Sequence, residues 1–341
     1  MLNRNFIAVA IGVGIVSTSS VVQAKETWMC NIFTGPKHFI NKPTKAWGKD
    51  VKKVTNGEVV VRYLPASAAP PPKQIDGIAA GTFDCAFIFH GFTKKRAVGP
   101  QFGILPMLIA DNAEKGSLAF WKTWKKYFAE KNEFAKHGIK VLSQYQFPGV
   151  QFFTSKDKPI NSMADMKSQK MWALAGTSSR TLKAAGVSHV SGPAVRLGEF
   201  TQTKVIQGIA GTTRSGAVYF AGVNFSKWGT FTSKSIMMPS FQWMVSTKKW
   251  NALSSDHQKK IMAVSGEKLA RAVGIIADKM EIVNGKKLTK AGFKEIKASK
   301  KFEEELRTAA RPQIDAWVAR ANKLGVDGNK VISDFIKYAS E

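Results

Sequence analysis

The amino-acid sequence predicts an α/β protein of two lobes joined by hinge strands, with a long helix spanning both lobes. Three observations lead there. Strand-like and helix-like patterns alternate through residues 28–89 and again through 171–208. Two extended stretches, 139–154 and 235–246, are placed to cross from one half to the other. One helical pattern then runs over 253–291, started by Ser254-Ser255-Asp256 and ended by Gly292.

The first lobe opens with a strand at 28–33, a helix at 41–54 that lines up Ala46, Trp47, Val51 and Val54 on one face, and a second strand at 58–64. Pro70-Pro71-Pro72 turns the chain into a helix at 74–80, which Gly81 stops. Residues 83–89 are almost wholly apolar, as expected of a strand covered on both faces. Asp111 is placed to cap a helix through Lys136, with a stripe of Leu118, Trp121, Trp124, Tyr127 and Phe128 that reads as core. Pro148-Gly149 interrupts the first crossing. Beyond it come a strand at 171–174, a helix at 177–185, a short extended run, and a helix ending at Gly208. The boundaries that follow are 25–146 for the first lobe with a return segment near 236–255, 147–235 for the second, 253–291 for the long helix and 292–341 for C-terminal helices packed on the lobes.

Residues 1–24 form a unit apart. Arg4 gives a positive start, 6–16 an apolar run, and Val22-Gln23-Ala24 a small-residue cleavage site, so an export signal cut near Ala24 is expected. The apolar run is broken by Ser17-Thr18-Ser19-Ser20 and is too short to span a bilayer comfortably. The two cysteines, Cys30 and Cys85, are permitted a bridge by an oxidising compartment but do not make a framework.

The net charge of +27 raises nucleic acid as a partner. The lysines are instead scattered, with no block of five, no zinc-finger spacing and no recognition helix, and read as solvated surface. No enzyme apparatus is visible either. The five histidines lack metal-ligand spacing, no Gly-x-Ser-x-Gly elbow or phosphate-binding loop occurs, and neither cysteine sits in a catalytic context. No metal and no cofactor are expected.

Several short runs, in order, carry a family likeness: Thr55-Asn56-Gly57 before a strand ending Tyr63-Leu64-Pro65, then Gly81-Thr82-Phe83-Asp84 and Leu105-Pro106-Met107. The second half adds Lys158-Pro159-Ile160-Asn161-Ser162-Met163-Ala164-Asp165-Met166-Lys167, Glu199-Phe200, Gln207-Gly208, and the run from Val245 to Ser254. Together they resemble the substrate-binding proteins of tripartite ATP-independent periplasmic (TRAP) transporters over nearly the whole mature chain. The resemblance implies a periplasmic receptor, not an enzyme, that captures a small organic solute between two lobes and hands it to integral membrane subunits, acting as a monomer rather than a dimer. The binding component of an ATP-driven importer is the alternative architecture.

Carried over run by run, the resemblance implies ligand-binding positions at Phe33 and Thr34, Phe89 and His90, Gln151 or Phe152, Trp172 and Arg214. Trp172 stands where relatives that bind organic acids carry an arginine, and Phe152 or Gln151 where a second arginine is usual. A pocket so composed favours a quaternary ammonium or sulfonium zwitterion, held by cation–π attraction, or an aromatic or apolar monocarboxylate with Arg214 as its charge partner. It disfavours a dicarboxylate.

Overall fold

The computed structural model of the protein describes residues 26–341, so the expected export signal lies outside the described residues. Lobe I is built from β1 (Glu26–Asn31), α1 (Asn41–Val54), β2 (Val59–Tyr63), α2 (Gln74–Ala79), β3 (Cys85–Phe89), α3 (Ala113–Tyr127) and β4 (Ile139–Gln146). The chain crosses and forms lobe II from β5 (Gln151–Thr154), α4 (Met163–Lys167), β6 (Met171–Leu174), α5 (Thr177–Ala184), β7 (His189–Gly192), α6 (Leu197–Gln202), β8 (Gly208–Thr212), α7 (Arg214–Gly216) and β9 (Trp228–Phe231). It returns to lobe I as β10 (Ser240–Ser246) and α8 (Thr247–Asn251). Then follow α9 (Ser255–Val264), α10 (Gly266–Lys290), β11 (Lys294–Lys297), α11 (Lys300–Lys323) and α12 (Gly328–Ser340).

Each lobe is organised on one mixed sheet, in the order β2-β1-β3-β10-β4 for the first and β11-β9-β5-β8-β6-β7 for the second. β1, β2 and β3 run parallel, as do β6, β7 and β8, while β10 pairs antiparallel with both β3 and β4. Every residue of β3 is buried, because helices cover both faces of its sheet. The register that pairs β1 with β3 sets Cys30 opposite Cys85, and the two form a disulfide.

The crossings are tied to one another. Phe147 N–H donates to Pro239 O at 2.8 Å and Val150 N–H to Met237 O at 2.9 Å, so the outgoing and returning segments make a short antiparallel hinge. Gln151 Oε1 accepts from both N–H and Oγ1 of Thr232 at 3.0 Å, which fastens the lobe II side of the same hinge.

The elements depart from the sequence reading in four places. Asn112, not Asp111, caps α3, its side chain accepting from Lys115 N–H, and the helix ends at Tyr127. α6 stops at Gln202, and Gly208 opens β8 instead of closing a helix. β11 adds an edge strand of lobe II to a tail expected to be wholly helical. The long helix is two helices. Gly266 takes φ +47°, which only a residue without Cβ adopts easily, and the break is pinned by Trp47 Nε1 donating to Ser265 Oγ and Ser143 Oγ donating to Gly266 O. Apolar periodicity passes over such a break because both helices bury the same side.

The Cys30–Cys85 bridge closes a loop with a sequence separation of 55. Chain-entropy arguments give a contribution of about 4 kcal/mol for such a loop. Reduction, or the Cys30→Ser/Cys85→Ser pair, is expected to lower unfolding stability in urea by about 2–4 kcal/mol while leaving far-ultraviolet circular dichroism unchanged; an unchanged midpoint would contradict the bridge.

Candidate functional site

Open α/β sheets leave their crevice outside the carboxyl ends of the parallel strands. Here two such ends face each other. Phe33 and Thr34 follow β1, Pro71 follows β2, and Phe89 ends β3. Opposite them, Leu174 ends β6, Pro193 and Ala194 follow β7, and Gly211 and Thr212 end β8. The hinge segments supply the floor, with Phe147, Pro148 and Val150 on the outgoing strand and Pro239 and Phe241 on the returning one. The cavity between the lobes is partly open to solvent.

Among the described residues, the lining is aromatic and carries no Lys, Arg, Asp or Glu. Phe33 is held face to face on Phe87 with ring centroids 4.3 Å apart, Phe89 meets Phe92 edge-on, and Phe147 packs on Phe241 at 4.1 Å. These contacts fix the rings before any ligand arrives.

The polar groups are few and uncharged. His38 lies on the cavity wall between Phe39 of lobe I, Phe147 of the outgoing hinge segment, and Tyr219 and Phe220 of lobe II. Burial lowers its pKa to about 3, so the ring is neutral. Its Nδ1 accepts from Ile40 N–H at 3.3 Å, which leaves the proton on Nε2 as a donor. Thr34 Oγ1 is buried with no hydrogen-bond partner among the described residues, and Thr212, Thr213 and Ser215 complete the polar set.

The structure distributes the residues singled out from sequence. Phe33, Thr34 and Phe89 line the cavity; the others do not. His90 is buried behind the sheet, with Nδ1 2.9 Å from Ser240 Oγ and Nε2 3.3 Å from Gln242 Oε1. Gln151 is spent on the hinge, and Phe152 packs on Phe302 in the lobe II core. Trp172 is fully buried in mid-sheet, between Val190 of β7 and Ile209 of β8. Leu174, two residues and roughly 7 Å further along the strand, is the one that reaches the cleft.

Arg214 turns the other way. Its guanidinium makes a two-pronged pair with Glu295 at 2.6 and 2.7 Å and lies 3.9 Å from the centre of the Phe231 ring. Sequence reasoning passed over His38, Phe147, Phe220 and Phe241. A signal for Phe147 existed, since it directly precedes the Pro148-Gly149 interruption in the crossing. Nothing in the sequence marks His38 as a wall residue.

Residues 30–321 match the family described as bacterial extracellular solute-binding protein, family 7, DctP. The chain belongs to this family. The DctP assignment is accompanied by 30% identity over 313 residues, 91% of this chain and 90% of the other, to the outer membrane transporter protein TsaT of Comamonas testosteroni. Among solved structures, a TRAP periplasmic solute binding protein of Bordetella bronchiseptica with bound (R)- and (S)-mandelate superimposes with a TM-score of 0.85 at 24% identity, covering 92% of this chain and 98% of that one. A marine metagenome TRAP solute binding protein specific for aromatic acid ligands, in complex with 3-hydroxybenzoate, gives 0.81 at 24% identity over 93% and 98%. One from Rhodoferax ferrireducens with copurified benzoate gives 0.80 at 20% over 92% and 97%. The DctP fold is thus a two-lobed α/β solute receptor fold, as the chain's two sheets and hinge display.

Beneath the cleft of this DctP chain, acids gather at the hinge. Asp111 Oδ1 accepts from Gly149 N–H at 2.6 Å in the outgoing crossing. Burial raises its pKa to about 7 against the opposing pull of that hydrogen bond, with Glu281 and Asp278 adding to the rise and Arg214 reducing it. A carboxyl raised in the folded state favours folding when protonated. Its contribution is complete below about pH 4 and is lost as pH rises through about 7. Asp111→Asn keeps an acceptor for Gly149 and removes the titration. The variant's melting temperature relative to the parent is expected to climb between pH 4 and pH 7 and then level off; a difference independent of pH would contradict the assignment.

Proposed function

We propose that the protein is the periplasmic receptor of a TRAP transporter for an aromatic monocarboxylate, bound between the lobes without a cationic anchor. The observation that carries this reading is the cleft itself, seven phenylalanines with neutral polar groups and no charged side chain. Burying a phenyl ring there contributes about 2–3 kcal/mol, with about 1 kcal/mol more for ring–ring geometry. The acid group then rests on neutral donors such as His38 Nε2–H and Thr34 Oγ1, the latter without a partner among the described residues. The solved relatives that hold mandelate, 3-hydroxybenzoate and benzoate are consistent with this class. A quaternary ammonium or sulfonium zwitterion loses Trp172 from its expected aromatic partners, and both ligand classes lose Arg214, since neither residue lines the cavity; the aromatic acid is preferred on the class of solute that the solved relatives hold.

Binding works by population shift. His38 and Phe39 stand on lobe I and Tyr219 and Phe220 on lobe II, so a solute touching both sides gains its full contact set only when the lobes are together. No bond is broken. Residues 1–24 fit export to the periplasm, where a monomeric receptor would deliver the solute to integral membrane subunits.

Calorimetry with benzoate, 3-hydroxybenzoate, mandelate and the corresponding primary amides tests the uncharged site. A neutral donor set is expected to hold acid and amide within about tenfold of each other, whereas a guanidinium anchor would prefer the acid by about 100-fold or more. His38→Phe, which keeps a ring and removes the donor, is expected to weaken the acid by about tenfold. Failure of every aromatic acid to bind, with tight binding of a dicarboxylate, would overturn the reading.

A further inference from the structure

A second cavity lies where the two lobes and α11 meet, outside the solute cleft. The cleft ends at Phe92, and the close approach of Gly91 in lobe I to Ala175 and Gly176 in lobe II separates the two spaces. Beyond it, Lys94 of lobe I, Arg180 of α5 and Arg320 of α11 line one hollow with Thr177, Gln313 and Trp317. No carboxylate lines it, and none of the three cations has an ion-pair partner among the described residues.

The two guanidinium groups are held in place. Arg180 Nε donates to Gln313 Oε1 and its Nη2 to Thr177 Oγ1, both at 3.2 Å, and Gln313 is itself fixed by donating to Thr181 Oγ1 at 2.6 Å. Arg320 Nη2 donates to the Lys94 carbonyl at 2.8 Å, and the Trp317 indole donates to Val98 O at 2.9 Å. Arg180 and Arg320 each keep guanidinium N–H groups that none of the described residues satisfies. Fixing two half-buried guanidinium groups together, with Lys94 beside them, costs free energy that an anion between them recovers. Consistent with this, Lys94 is held below its ordinary pKa first by the charge of Arg180, and Arg180 below its own by burial and then by Arg320.

We propose that this hollow binds a small tetrahedral oxyanion, inorganic phosphate or sulfate, on Lys94, Arg180 and Arg320. Lys94 stands on lobe I and Arg180 on lobe II, so an anion touching both opposes their separation. The receptor would then carry two interlobe ligands of different chemistry, an organic solute in the uncharged cleft and an inorganic anion in the basic hollow. The second would tune the closing equilibrium and hence the apparent affinity for the first.

The test uses the solute-free mature protein. Sodium phosphate, sodium sulfate and sodium chloride are titrated at matched ionic strength, read by melting temperature and, for phosphate, by ³¹P linewidth. Saturable stabilisation by phosphate or sulfate that chloride does not reproduce is expected, with affinity at least tenfold weaker in Arg180→Gln and in Arg320→Gln and unchanged in Lys286→Gln on the exposed side of α10. Circular dichroism of each variant establishes that it folds. Equal effects of all three salts, or an oxyanion response that survives in the Arg180→Gln/Arg320→Gln double variant, would overturn the proposal. Because no organic solute is present, either result leaves the aromatic-acid reading to its own test.

Discussion

Two carboxylates on one helix hold the molecule in register. Asp278 and Glu281 stand three residues apart on α10 and therefore share a face. Asp278 accepts from Ala113 and Glu114 N–H at the start of α3 in lobe I, at 2.8 and 2.9 Å. Glu281 accepts from Arg214 and Ser215 N–H at the start of α7 in lobe II, at 2.9 and 2.8 Å. The first N–H groups of a helix have no partner of their own and bear partial positive charge, so each acid satisfies two donors at once. Gly274, one turn before Asp278, lets α3 approach until a Cβ there would lie 2.4 Å from Glu114 Cα. One rod thus grips both lobes at adjacent turns, beside the crossings that Asp111 and Gln151 fasten.

Held in this way, the lobes bring two sets of parallel strand ends together, and the function follows from what stands at those ends. The cleft closes an aromatic wall over a few neutral donors, while charge is kept outside it. Arg214 lies at the start of α7 beside the cleft yet is spent on Glu295 and Phe231. With Arg214 outside the lining, the cleft presents aromatic rings and neutral hydrogen-bonding groups among the described residues. The large positive net charge still attracts anions toward the molecule from a distance without any fixed cation at the site.

Much of the architecture was legible in the sequence because it rests on periodicity and on punctuation. The almost wholly apolar run at 83–89, Gly81 after its helix, and Pro148-Gly149 in the crossing each state a local rule that the fold obeys. The break at Ser265-Gly266 was not legible, since one left-handed residue does not disturb an apolar stripe. The site was legible only where a cleft residue directly ends or follows a strand, as Phe33, Thr34 and Phe89 do. Trp172 and Leu174 share a strand and a face, and which of the two reaches the cleft depends on where β6 ends against β7 and β8. Arg214 depends on Glu295, 81 residues away, and no spacing rule reports such a pair.

A crystal structure of the mature protein grown with 3-hydroxybenzoate bears most directly on the uncharged cleft. On the proposed reading, the ring is expected among Phe33, Phe89, Phe147 and Phe241 and the carboxylate within hydrogen-bond distance of His38 Nε2 or Thr34 Oγ1, with Arg214 still paired to Glu295. A carboxylate bound by Arg214, or by any other guanidinium or ammonium swung into the cleft, would contradict it.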